Sequence, residues 1–257
     1  MKASLAHEIR WPRVRTPTDA AHFIDSVGFC VLFPLTRIPL PSLYYASARR
    51  DIQLGPGWDK YCELIWKWKD ELPLHRRAFY AKCLHGRGMF ISRKLLPHFL
   101  AMRASAAAPG DHTRFYSAGR ISADARAIWL ALEEHGPLAT LELRHACKME
   151  STGSNVRFKR AMLELQCHLV LVHFGAEQET AAWPSSRFEL TCRAFPREAA
   201  AARNISPDAA RRAIARKYLA WHPNASPSLL ARLFSWSKTE AAAACSAVPA
   251  LRGRHRG

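Results

Sequence analysis

Apolar residues in the middle of the chain recur with a helical period and then switch to an alternating one. Between Ser122 and His135, Ile128, Trp129 and Leu132 mark one buried stripe, with Ser122 as N-cap, Asp124 in the first turn and Gly136-Pro137 as the stop. Thr140 is the expected cap of a second helix reaching about Lys148, and Ser151-Thr152-Gly153 reads as a turn. From Ser154 to about Leu169, the residues Phe158, Met162, Leu165 and Leu169 fall at i, i+4, i+7 and i+11, one face of a third helix. Two β-like runs follow, Val170 to Phe174 and Arg187 to Phe195, with a polar stretch from Gly175 to Ser186 between them. Phe188, Leu190 and Cys192 alternate as in a half-buried strand.

Three helices followed by a hairpin is the order of a winged helix. The opening of this unit recurs: Ile121-Ser122-Ala123-Asp124-Ala125 returns as Ile205-Ser206-Pro207-Asp208-Ala209, with Pro207 at the first helical position. A helix to about Trp221, a second opening at Ser226-Pro227, and a third opening with the capping box Ser237-Lys238-Thr239-Glu240 repeat the helical order without a wing. Upstream, Thr16-Pro17-Thr18-Asp19 opens a helix through Phe23, Ile24 and Val27 that stops at Gly28. The apolar run Phe29 to Phe33 follows, broken by Pro34, Pro39 and Pro41. A Trp-rich segment (Trp58, Trp66, Trp68), a helix expected around Leu74 to Leu84, and Phe90-Ile91-Ser92 leading into a helix with Leu95, Leu96 and Phe99 complete this part. One or two short strands are expected there. The fold class is therefore mainly α with small β-wings (α+β), arranged as tandem winged-helix/helix-turn-helix domains.

Charge sharpens the division. The 257 residues carry 38 Lys+Arg against 21 Asp+Glu, a net +17, distributed as +9 over residues 1–119, zero over 120–196 and +8 over 197–257. Composition breaks at Ala104–Gly119 and Pro196–Asn204 then give an α-rich domain (1–104), a linker (105–120) and a winged-helix domain (121–196). A second helix-turn-helix unit without a wing (197–248) and a disordered basic tail (249–257) follow, as in a chain shortened relative to its relatives. So large a positive excess, 28 Arg and only 10 Lys, points to nucleic acid first and an anionic membrane surface second, and with the helix pattern to duplex DNA as partner. The longest apolar run, Gly28 to Leu35, is too short to cross a bilayer, and Met1 to Arg15 has no signal-peptide core. The expected setting is the cytoplasm, at the nucleoid. Seven scattered cysteines without CxxC or zinc-ligand spacing imply no metal, no cofactor and no disulfide framework.

On the third helix of the middle unit, Asn155, Arg157, Lys159 and Arg160 are candidate base and phosphate contacts, with Glu164 placed to pair with Arg160. Glu177 and Glu179 argue against the wing tracking phosphates. On the first helix of the repeat, Arg211, Arg212, Arg216 and Lys217 form a denser stripe, flanked by Arg203 and by Arg252, Arg254 and Arg256. Lys60, Lys67 and Lys69 interleave with Tyr61, Trp66 and Trp68. That pattern favours tryptophans in the core with lysines snorkelling outward over a base-stacking surface. Gly55-Pro56-Gly57 and Gly86-Arg87-Gly88 lack phosphate-loop spacing, and His22, Asp25 and Ser26 lack a nucleophile elbow.

Three segments carry a family resemblance. Phe23-Ile-Asp-Ser-Val-Gly-Phe-Cys-Val-Leu-Phe-Pro, Trp66-Lys-Trp-Lys-Asp-Glu-Leu-Pro and Ile121-Ser-Ala-Asp-Ala-Arg-Ala-Ile-Trp, followed by the second helical repeat, resemble the AlkZ/YcaQ-like family over most of residues 17–248. That family consists of bacterial winged-helix proteins and includes interstrand-crosslink DNA glycosylases. Its active members carry a Gln-x-Asp or Gln-x-Gln motif that positions the water attacking the N-glycosidic bond. The matching triplet is Phe23-Ile24-Asp25, which keeps the carboxylate of Asp25 as the catalytic candidate and puts Phe where the first Gln stands. The resemblance thus implies a DNA-binding, crosslink-repair-related protein with weak or no catalysis. An active glycosylase excising alkylated or crosslinked bases and a winged-helix transcription regulator are the alternatives.

Overall fold

The computed structural model describes residues 11–35, 38–49, 59–103, 108, 110–177 and 184–248. Gly55-Pro56-Gly57, Trp58, most of the Ala-rich segment, Glu179 and the tail with Arg252, Arg254 and Arg256 lie outside the described residues. The N-terminal elements are α1 (Pro17–Val27), β1 (Phe29–Val31), α2 (Leu43–Ala48), α3 (Lys60–Leu74), β2 (Ala78–Leu84), β3 (Arg87–Ser92) and α4 (Leu96–Met102). The strands form an antiparallel sheet in the order β1-β3-β2, registered through Cys30 opposite Phe90 and Tyr80 opposite Phe90.

This sheet is a partition with apolar residues on both faces. Along β2, Phe79, Ala81 and Cys83 enter one core while Ala78 and Tyr80 enter the other; Met89 and Ile91 separate from Phe90 in the same way on β3. The period is 2, but burial on both sides hides the alternation. The helix expected at Leu74 to Leu84 is therefore corrected: α3 ends at Leu74 and β2 follows. On one side lie α1, α2 and α3. On the other, α4 joins the helices of the C-terminal third in a core containing Phe99, Ile214, Tyr218, Leu230 and Phe234.

The middle of the chain supplies α5 (His112–Ser117), α6 (Ala123–His135), β4 (Leu138–Ala139), α7 (Thr140–Ala146), α8 (Asn155–Cys167), β5 (Leu171–Glu177) and β6 (Ser185–Leu190). Residues 112–117, within the segment read as a linker, bury Phe115 completely under α6. The second sheet is antiparallel in the order β4-β6-β5. Three local readings change. Thr140 is not a cap: its hydroxyl donates to the Ser186 carbonyl (3.0 Å), while the Glu142 carboxylate accepts from the Ala139 amide (2.8 Å). The run Arg187 to Phe195 is strand only to Leu190, after which Thr191–Ala194 form α9 and Cys192 leaves the alternation. Glu164 does not pair with Arg160. It accepts from the amide (3.0 Å) and hydroxyl (2.7 Å) of Ser122, tying α8 to the start of α6.

The chain continues through α10 (Pro196–Ala202), α11 (Pro207–Trp221), α12 (Pro227–Phe234) and α13 (Lys238–Ser246). The starts of α11, α12 and α13 follow the sequence signals: Ser206, Ser226 and Ser237 each accept from a backbone amide three residues on, and Glu240 completes the capping box. The result is a mixed, mostly helical protein with two small three-stranded antiparallel sheets.

Candidate nucleic-acid interface

Ion pairing sorts the candidate cations into two classes. On α8, Arg157 grips Asp124 of α6 with two bonds (2.9 and 2.5 Å), and Asn155 accepts from Arg144. Arg144 also donates to the Met149 carbonyl (2.9 Å) and the Ser151 carbonyl (3.1 Å), so it fixes the turn before α8 and is occupied there. Lys159 and Arg160 are exposed, and among the described residues neither has an ion pair. On α11, Arg211 is pinned between Asp208 (2.9 Å) and Glu240, its side chain only 15% exposed. Arg212 and Arg216 sit one turn apart and face solvent, again without an ion pair among the described residues. Arg203, just after α10, is exposed. Lys217 is half-buried and turned away from them, its stem lying across Gly28.

The outer face of α8 carries a residue the sequence reading missed. Val156 is 75% exposed one residue into the helix and shares a face with Lys159, Arg160 and Leu163 at i, i+3, i+4 and i+7. The other end of α8 is covered: the Lys82 amide donates to Gln166 Oε1 (3.0 Å), and Leu163 lies against Gly86 of the β2–β3 turn. Its N-terminal half, with Val156, Lys159 and Arg160, is the more open end.

Asp25 and Phe23 have separate surroundings. α1 is fixed at its start by the reciprocal Thr16–Asp19 box and at its end by Gly28 at φ 85°, whose amide donates to the Ile24 carbonyl (2.8 Å). Positions two apart on a helix point to different sides. Phe23 faces the core beside α2 and α3, edge-on to Trp11 at 5.7 Å, whereas Asp25 is half-exposed. No hydrogen bond reaches the Asp25 carboxylate among the described residues, but Lys217 of α11 feels its charge.

A third polar group lies where α3 meets the second sheet. Lys69, Asp70 and His173 come together there, with Lys69 Nζ 2.5 Å from Asp70 and 3.3 Å from Ser186 Oγ. His173 Nδ1 is 4.0 Å from Asp70, and neither ring nitrogen has a hydrogen-bond partner. Its ring is wedged between Tyr80 (4.8 Å) and Phe188 (4.7 Å). Burial holds His173 well below the usual imidazole range, lowers Lys69 and raises Asp70. Lysines snorkelling from a tryptophan core were expected here. Trp68 is core and Lys67 exposed, but Lys69 is buried and Trp66 is 37% exposed with Lys69 over its ring (4.8 Å). The partner His173 is more than a hundred residues away, which no local pattern signals.

Among the described residues no group of three His, Cys, Asp or Glu side chains is placed to hold a metal, and no helix is long and apolar enough to cross a membrane. The seven cysteines are unpaired; burial pushes the Cys83 thiol up to about 12. No curated protein and no solved structure matches the chain. A family model, AlkZ related, matches residues 14–235, spanning both sheets and reaching the end of α12. The chain belongs to the AlkZ-related family.

Proposed function

We propose that this protein binds duplex DNA as a relative of the crosslink-repair glycosylases and releases bases by hydrolysis weakly or not at all. The observation that carries the binding reading is that, of the candidate cations on α8 and α11, Lys159, Arg160, Arg212 and Arg216 are exposed and have no acidic partner among the described residues. The order helix, strand, helix, helix, strand, strand over 123–190, with the strands in one sheet, supports a winged helix whose third helix is α8. The helices α11, α12 and α13 repeat it without a wing. Residues 1–104, 121–196 and 197–248 are then its three structural units, acting at the nucleoid. Asp25 is half-exposed near the end of α1, and Phe23 is packed into the core. Family likeness therefore supports a repair scaffold, while the missing amide argues against efficient positioning of water.

Val156 favours a second reading. An exposed apolar side chain beside Lys159 and Arg160 suits contact with a thymine methyl in the major groove, as an operator-reading regulator would use. Binding of intact, alkylated and crosslinked duplexes of one sequence separates the two. Preference for the modified duplexes, with single-turnover base release absent or slow, is the expected result. Brisk release abolished by Asp25→Asn would establish the active glycosylase instead. Preference for one sequence over any lesion would establish the regulator.

A further inference from the structure

Gly86-Arg87-Gly88, which lacks phosphate-loop spacing, belongs to the two-residue turn that joins β2 to β3. His85 and Gly86 both have positive φ (48° and 76°), and Leu84 pairs with Arg87 to close the ladder. Two such residues give the tight turn whose twist matches that of its strands, so the tip is a fixed projection. It is wedged between two helices far away in the chain. On one side is α8: a methyl group on the Gly86 α-carbon would lie 3.7 Å from Leu163 Cδ2. The Lys82 amide donates to Gln166 Oε1 (3.0 Å) and the Cys167 thiol to the Lys82 carbonyl (3.5 Å). On the other side is α12, where His85 Nε2 donates to the Arg232 carbonyl (2.8 Å). The turn thus braces α8 and α12 into one surface.

Leu163 shares the outer face of α8 with Val156, Lys159 and Arg160, so the turn stands on the same face that is open to a partner. The open stretch from Val156 to Arg160 is only about 6 Å long at 1.5 Å per residue. A major groove is about 12 Å wide, so a duplex seated on that stretch reaches the turn. Arg87 is exposed there, and as the ladder partner of Leu84 it is directed to the side of the sheet where Leu230 and Leu233 of α12 pack. Arg232 is exposed on α12 itself. Neither arginine side chain has a hydrogen bond or ion pair among the described residues. Glu164, the carboxylate of that half of α8, is taken by Ser122. We propose that the β2–β3 turn is a DNA-contacting element, with Arg87 and Arg232 binding backbone phosphates beside the groove that α8 enters. One duplex is then held by α8, by the N-terminal sheet and by the C-terminal helices together, and the turn extends the reading face instead of closing it off.

Because the proposal rests on the DNA-binding reading, wild-type duplex affinity is measured beside it. The full chain carries the photo-crosslinking residue p-benzoylphenylalanine in place of Arg87 or, as a control on α3 across the sheet, in place of exposed Glu63. Each is irradiated with a labelled duplex at saturating protein. The expected result is a covalent protein–DNA adduct from position 87 and none from position 63. In the unlabelled chain, Arg87→Ala/Arg232→Ala should weaken binding about tenfold and lessen the slope of log affinity against log salt by about two units. Its melting midpoint should stay at the wild-type value, since both side chains lack partners in the fold, and Arg87→Lys/Arg232→Lys should restore most of the slope. No adduct from position 87, or an unchanged slope in the alanine variant of a protein that binds the duplex, would overturn the proposal alone. Tighter binding by the alanine variant would also overturn it, because the turn would then shield α8 from DNA. No duplex binding by wild type would overturn the DNA reading as well.

Discussion

The two helical repeats share a frame and differ in what they expose. Each opens with a serine cap: Ser122 accepts from Ala125 (3.2 Å) and Ser206 from Ala209 (3.3 Å). Each ties its first helix to its third by one ion pair, but with the signs exchanged. Asp124 on α6 holds Arg157 on α8, whereas Arg211 on α11 holds Glu240 on α13. The outer face of α8 keeps Val156, Lys159 and Arg160, while α13 shows Ala242, Ala243 and Ser246 after Lys238. In the second repeat Arg212 and Arg216 on the first helix, and Lys238 at the start of the third, are exposed without an ion pair among the described residues. A similar order of helices therefore need not expose the same charges, and charges counted in a sequence are not all charges a partner can reach.

The anchors of the two repeats differ as well, and perturbing each should break them separately. Phe23→Gln puts an amide into the apolar core beside Trp11 and should cost about 3 kcal/mol, read by denaturant unfolding, with no gain of base release. Gly28→Ala meets both the positive φ and the Lys217 stem, and should cost about 2 kcal/mol while loosening α11. The first repeat is held through His173 against α3. Its depressed pKa means that the unfolded chain binds a proton the folded chain refuses, so stability is full above pH 6.5 and falls as pH drops below it. The slope from this one group reaches about 1.4 kcal/mol per pH unit. His173→Leu should flatten it, and an unchanged slope would assign the effect to other groups.

A finer test compares the ion pairs. Arg211 is 15% exposed at its side chain and Arg157 is 66% exposed. Arg211→Ala should lower stability by about 1 kcal/mol, with a smaller drop in melting midpoint for Arg157→Ala. Equal effects would mean that the two repeats are braced alike.

Local bonding explains what the sequence made legible. The starts of α1, α6, α11, α12 and α13 are set by a Ser or Thr whose hydroxyl reaches three residues ahead, so cap and helix are visible together. β2 is hidden because Phe79 and Tyr80 are both buried, on opposite faces, so no polar position marks the alternation. β4, two residues long, gains its identity only by pairing with β6. The charged candidates were legible as residue types, but not their partners. Arg160–Glu164 satisfies helical spacing, yet Glu164 finds Ser122 across the fold, and Asp124–Arg157 spans 33 residues. Asp25 is legible through family likeness, whereas the packing of the Lys217 stem over Gly28 comes only with the docking of α11.

On the proposed function the unpaired cations, rather than the paired ones, bind DNA. The most direct measurement is the salt dependence of duplex affinity for wild type, Arg212→Ala/Arg216→Ala and Arg157→Ala/Arg211→Ala. The slope of log affinity against log salt should lessen by about two units in the first variant, about one for each phosphate no longer neutralised. In the second it should stay at the wild-type value. A slope that lessens in the Arg157/Arg211 variant and not in the Arg212/Arg216 variant would contradict the account.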